Sequence, residues 1–190
     1  MKWVVWSCCL SMLCGVVPFD AVDYRALSER EFARCFESPH VQAFLDMVAY
    51  SEGTFSPQGY RISFGGSLFN RFKDHPRIKY AKGALRSDAA GRYQFLSKTW
   101  DYVAQKLRLG DFSPKNQDRA AVQLIFERNV LDDLLRGRFD KTLNKTATVW
   151  ASFPDATYGQ RTQSYKNLKN FYLKRLSLYM KSGLKKYVTT

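Results

Sequence analysis

The chain has 190 residues, enough for one domain with a sizeable core, and no internal repeat, which excludes solenoids and propellers. An apolar fraction of 45% with 15% aromatic residues excludes a disordered chain. Lys and Arg number 30 against 17 Asp and Glu, a formal net charge of +13; such a balance suits nucleic acid or a bacterial envelope polymer as partner, or serves solubility alone.

Lys2 precedes an uncharged apolar stretch from Trp3 to Phe19. A short positive region followed by an apolar one is the pattern of a secretory signal, and cleavage after Gly15 or Ala21 fits the small-residue rule in part. The stretch is also close to the roughly 17-residue lower limit of a membrane span, so a retained anchor is a second reading and a buried helix a third. Residues 1–21 are therefore expected to be a signal peptide or signal anchor. The mature domain would then act in the periplasm or envelope, or be secreted, away from DNA and RNA. Cys8, Cys9 and Cys14 all lie in this stretch. Only Cys35 lies beyond it, so the mature chain has no internal disulfide. With His40 and His75 the only histidines, Cys35 reads as a buried apolar residue. No metal-ligand spacing, phosphate-binding loop or serine-hydrolase elbow occurs, so no metal and no cofactor are expected.

Residues 22–39 read as an N-terminal helical extension. Ser28 and Glu31 have capping-box spacing and start a short helix that ends before Ser38-Pro39. From Pro39, the residues Val41, Phe44, Leu45 and Val48 follow helical spacing, and Gly53 is the stop. Between 54 and 95 the character changes. Glycines recur at 59, 65, 66, 83 and 91, with Pro57 and Pro76. The β-prone runs Tyr60–Phe64 and Arg92–Phe95 predict a small irregular sheet with long loops. Helices then resume. One starts at Ser97 and ends near Gly110; the next follows Ser113-Pro114 and runs to about Asn129. Val130–Arg136 and Lys141–Phe153 predict two more. A last helix near Gln163–Lys181 carries Tyr165, Leu168, Tyr172, Leu176 and Tyr179 as core contacts, and residues 177–190 form a basic tail. The fold class is α+β: a mostly helical, two-lobed domain with a small irregular β-sheet beside a cleft.

Glu52 is the most informative residue. Val41, Leu45, Val48 and Glu52 are spaced by threes and fours, so a carboxylate shares the apolar stripe at a helix C-terminus. Partial burial and the negative end of the helix both favour the protonated form. An acid that stays protonated near neutral pH suits cleavage of a glycosidic bond. The pattern alone fits a frayed helix end, where Glu52 simply meets water, somewhat better.

Six ordered blocks carry a resemblance: AFLDMVAYSEGT (Ala43–Thr54), GGSLF (Gly65–Phe69) with DHPR (Asp74–Arg77), AGRYQFLS (Ala90–Ser97), DFSPKNQD (Asp111–Asp118), WASFP (Trp150–Pro154) and YGQ (Tyr158–Gln160). Together the blocks resemble the phage lambda lysozyme-like lytic transglycosylases over residues 40–176. The resemblance implies a lysozyme-like fold in that span and peptidoglycan glycan strands as partner. It implies cleavage between N-acetylmuramic acid and N-acetylglucosamine with a 1,6-anhydromuramoyl product, and Glu52 as single acid/base. A monomer is expected. It also implies that Tyr93 and Gln94 contact glycan. The residues alone would allow an ordinary hairpin strand there. Tyr158 and Gln160 are implied to close the other side of the cleft, where the residues alone would equally allow a plain connector. Tyr50, Ser67, Asp155 and Thr157 depart from the family pattern, which bears on subsite affinity. Where hydrolytic phage lysozymes carry an aspartate, this chain has Arg61, and no Asp or Glu occurs between Glu52 and Asp74. Without a second carboxylate the sugar's own tethered hydroxyl is the natural nucleophile. Asp74 or Asp88 could still fold back into the cleft. The alternatives are therefore a hydrolytic muramidase on the same fold and a non-catalytic envelope polysaccharide-binding protein.

Overall fold

A computed structural model describes residues 25–82, 85–154 and 163–182. Helix α1 spans Glu29–Glu37 and opens on the full capping box: Ser28 accepts from the Glu31 N–H, and the Glu31 carboxylate accepts from the Ser28 N–H. Arg25 also grips Glu31, through hydrogen bonds of 2.7 and 3.0 Å. Phe32 and Cys35 turn inward, and burial pushes the Cys35 thiol up to about 11, so it stays a neutral, inert thiol.

Helix α2, Pro39–Ser51, is buried from Val41 through Ala49. A helix apolar nearly all round belongs inside a core, and α1, α5 (Leu131–Leu135) and α7 (Tyr165–Ser182) all pack on α2. Helix α2 lies along α7, with Tyr50 stacked on Phe171 at 4.2 Å between ring centroids. Phe44 meets Phe139 and Phe153 edge-on. The one acid within this buried stretch, Asp46, is fully engaged. It accepts from Arg92 (2.5 Å), from Arg175 (2.7 Å) and from the Tyr179 hydroxyl (2.6 Å). Buried pairs of this kind add little net stability, yet removing one partner typically costs about 3–5 kcal/mol. The network therefore locks α2, α7 and the loop bearing Arg92 in one arrangement.

Helices α3 (Ser97–Leu107), α4 (Pro114–Phe126), α5 (Leu131–Leu135) and α6 (Phe139–Thr146) complete the helical part. Pro114 takes the first helical position as expected, although Ser113 makes no side-chain cap. Ser97 is itself the first residue of α3, and its hydroxyl bonds Asp88 instead of capping the helix. The helix expected over Lys141–Phe153 starts earlier and stops at Thr146, with turns to Phe153. In α7, Leu168, Tyr172 and Tyr179 are buried, Leu176 partly so, and Tyr165 is exposed with its hydroxyl on Asp140.

The region between Glu52 and Ser97 differs most from the sequence expectation. Tyr60–Phe64 is no strand: Gly59–Arg61 is a single 3-10 turn, and Ile62 and Ser63 make isolated bridges to Leu68 and Ala90. Arg92–Phe95 is a turn closed by the Ala90–Phe95 bridge. Among the described residues the one sheet is an antiparallel pair, β1 (Tyr80–Lys82) and β2 (Leu85–Ser87), with Tyr80 opposite Ser87. An aromatic cluster holds the loops down. Trp100 and His75 both meet Phe112 edge-on, at 4.6 and 5.0 Å, and Phe69 adjoins them.

Candidate active site

The end of α2 fixes Glu52. The Gly53 N–H bonds Tyr50 O at 3.1 Å and the Thr54 N–H bonds Ala49 O at 2.8 Å, with Gly53 at φ +72°. This double closure ends the helix in a left-handed residue that glycine adopts without strain. Thr54 is buried just beyond, its hydroxyl within reach of the carbonyls of Ala49 and Arg92. The backbone on both sides of Glu52 is thus pinned.

The side chain is half-buried. Glu52 Oε1 accepts from the Ser152 hydroxyl at 2.8 Å, and Ser152 Oγ accepts from the Ser51 hydroxyl at 2.7 Å. Burial raises the Glu52 pKa from 4.5 to about 7, and the Ser152 hydrogen bond, which favours the ionised form, opposes this only in part. Glu52 therefore exists in both protonation states around neutral pH, as a group must that first gives and then takes a proton.

The two acids that follow in sequence are committed elsewhere. Asp74 accepts from Arg77, from the His75 N–H and from the Trp100 indole. Asp88 accepts from Ser97. These bonds favour their ionised forms, and although desolvation by burial pulls the other way, both carboxyls stay below the usual carboxylate value. Arg61 is exposed and bonds Asn70 O at 3.0 Å. Among the described residues no His, Cys, Asp and Glu side chains cluster as metal ligands.

Beside Glu52 runs the turn Gly91–Gln94, joined to it through Thr54. Buried Gln117 holds this turn: its Oε1 accepts from the Arg92 N–H at 2.9 Å, and its amide donates to the carbonyls of Phe112 and Tyr60 (2.8 and 3.1 Å). Gly91 sits at φ +79°, and a Cβ there would lie 2.2 Å from Gln117 Oε1, so only glycine fits. The Trp150 indole donates to Tyr93 O, tying the turn to the segment that carries Ser152. The Gln94 amide donates to the carbonyls of Ile62 and Gly91 (3.0 and 2.9 Å), with Gln94 at φ +47°. Both amide hydrogens are spent on the backbone, so Gln94 can offer a ligand an acceptor, its Oε1, and no donor.

Tyr93 is placed otherwise than the sequence reading expects. It is 1% exposed, and its hydroxyl donates to Asp118 at 2.6 Å. Its ring presents no face to a sugar; it anchors the turn from beneath. Tyr158 and Gln160 lie outside the described residues. Ser51, Ser152, Gln117 and Asp118 complete the site without any local pattern that marks them. Each falls inside one of the matched blocks, and that was the available signal.

A sequence model of the Endolysin family matches residues 42–178. The endolysin of Escherichia phage lambda is 44% identical over 126 residues, covering 63% of this chain and 80% of that protein. The endolysin of Escherichia phage P2 is 39% identical over 145 residues, covering 68% and 88%. Among solved structures, bacteriophage lambda lysozyme complexed with a chitohexasaccharide matches at 40% identity with a TM-score of 0.69, over 72% of this chain and 94% of that one. With its family match over most of its length and a shared α+β lysozyme-like fold, this chain belongs to the endolysin family.

Proposed function

We propose that this endolysin cleaves peptidoglycan by lytic transglycosylation, with Glu52 as its one acid/base. That the chain is a peptidoglycan-degrading glycosidase follows from its family; the transglycosylase step is the finer reading. Two observations together support it. Glu52 has a pKa near neutrality, and Asp74 and Asp88, which could have served as the second carboxylate, are bound up in structural contacts. Hydrolytic glycosidases use two carboxylates, one to activate water or to attack the sugar.

Protonated Glu52 gives its proton to the glycosidic oxygen between N-acetylmuramic acid and N-acetylglucosamine. The C1–O bond breaks, and N-acetylglucosamine leaves as the alcohol. The carboxylate then takes the proton of the muramic acid C6 hydroxyl, whose oxygen bonds C1 to close the 1,6-anhydro ring. Glu52 ends protonated, ready for another turn. The nucleophile belongs to the same sugar, so its effective concentration is high without a site for water. The Gln94 acceptor suits an N-acetyl N–H, and the chitohexasaccharide held by the lambda lysozyme shows that a relative binds a chain of N-acetylated sugars.

Digestion in oxygen-18 water tests the reading. Transglycosylation leaves the new muramic ends unlabelled; label on those ends would make the enzyme a hydrolytic muramidase.

A further inference from the structure

The proposed chemistry requires the proton of Glu52 to sit on the oxygen that meets the substrate. A carboxylic acid has two oxygens, and only one can be right. Oε1 lies 2.8 Å from Ser152 Oγ. Ser152 Oγ in turn lies 2.7 Å from Ser51 Oγ. A hydroxyl has one hydrogen to give. If Ser51 donates to Ser152, the Ser152 hydrogen is directed to Oε1. That oxygen is then an acceptor in both states of Glu52, and the proton must reside on Oε2.

The opposite order of donors would place the proton on Oε1, facing Ser152 and spent on its hydroxyl. Ser51 would then have to donate to the Ser152 carbonyl, 3.3 Å away and already accepting from the Gln163 N–H at 2.9 Å. The short contact favours the productive order. Both serines are buried, so water does not compete for these bonds. The segment carrying Ser152 is fixed as well: the Trp150 indole bonds Tyr93 O, and Phe153 packs edge-on against Phe44.

We infer that Ser152, oriented by Ser51, is a positioning residue that assigns the catalytic proton to Oε2 of Glu52. The inference rests on Glu52 being the acid/base. It commits the pair to a role beyond packing, because Ser152 also stabilises the ionised form of Glu52. Among the described residues no charged group contributes to that balance, which is set by burial and by Ser152.

The test is the pH profile of kcat on isolated peptidoglycan for the full chain and for Ser152→Ala, Ser152→Thr, Ser51→Ala and Glu52→Gln. Ser152→Ala should lower kcat about tenfold, the value of one hydrogen bond to a charged group. It should also move the alkaline limb to higher pH, since the ionised form loses its donor. Ser152→Thr should restore both. Ser51→Ala, a mild change at a helix end, should move the limb the same way by less. A carbon-13 titration of the Glu52 carboxyl in Ser51→Ala reads the same displacement without turnover. An unmoved limb, with threonine as defective as alanine, would reduce the pair to packing and overturn the inference even with Glu52→Gln inactive. An active Glu52→Gln would instead overturn the acid/base assignment beneath it.

Discussion

Glu52 is placed where a carboxyl is useful and costly at once. Its pKa of about 7 in the fold against 4.5 in the open chain means that the native state holds its proton more tightly. Its contribution to stability is therefore full below about pH 4.5 and is lost as pH rises through about 7. The displacement corresponds to at most about 3 kcal/mol. Glu52→Gln should accordingly raise the thermal midpoint at pH 8 and leave it nearly unchanged at pH 4; an equal change at both would show that the carboxyl is not held in a desolvated place. The place of Glu52 at the end of the stripe Val41–Leu45–Val48 was legible in the sequence, since the stripe is local and periodic and all three residues prove buried; its role as the acid is implied by the family resemblance and not by the stripe. Ser152 was not, because its bond to Glu52 spans 100 positions and no local pattern encodes it.

At the scale of elements, the helices were read nearly to the residue where a cap or a proline marks them, as at Ser28, Pro39, Gly53 and Pro114. The loops between Glu52 and Ser97 were not. Tyr60–Phe64 and Arg92–Phe95 have β-prone residues, but a run of four or five is too short for propensity to prevail over long-range contacts. The turn at 91–94 is decided by Gly91 at positive φ and by Gln117, 25 residues away from the Arg92 N–H it receives. The real strands, Tyr80–Lys82 and Leu85–Ser87, are three residues each and carry no apolar alternation. Gln117→Ala would leave the Arg92 N–H and two carbonyls without partners in a buried place. We expect a loss of about 2–4 kcal/mol in urea unfolding, together with a fall in activity beyond that of an equally destabilised variant elsewhere. Activity unaffected at equal foldedness would mean that the turn does not shape the site.

For the whole molecule, the positive charge proves less available than the sequence suggests. Of the basic residues in the loop region and the last helix, Arg77 pairs with Asp74 and Asp101, Lys169 with Asp140, and Arg175 with Asp46. Arg71, Lys73, Lys79, Lys166, Lys174 and Lys181 are exposed. Exposed charges are screened beyond about 8 Å at physiological salt. Raised salt should weaken attachment to intact cell walls and leave turnover of a short soluble glycan nearly unchanged; equal slowing of both would put these residues in the cleft. The apolar stretch Trp3–Phe19 lies outside the described residues and is proposed to direct export. Fused as residues 1–30 to a reporter active only outside the cytoplasm, it should give signal, and silence would contradict export. The central claim, that Glu52 alone supplies acid and base for transglycosylation, is met most directly by mass spectrometry of peptidoglycan digested with the wild type beside Glu52→Gln. The wild type should release 1,6-anhydromuramoyl fragments, and a folded Glu52→Gln should lose at least the roughly 100-fold that general acid catalysis contributes. Reducing muramic ends from the wild type, or more than about a tenth of its activity in the variant, would contradict the account.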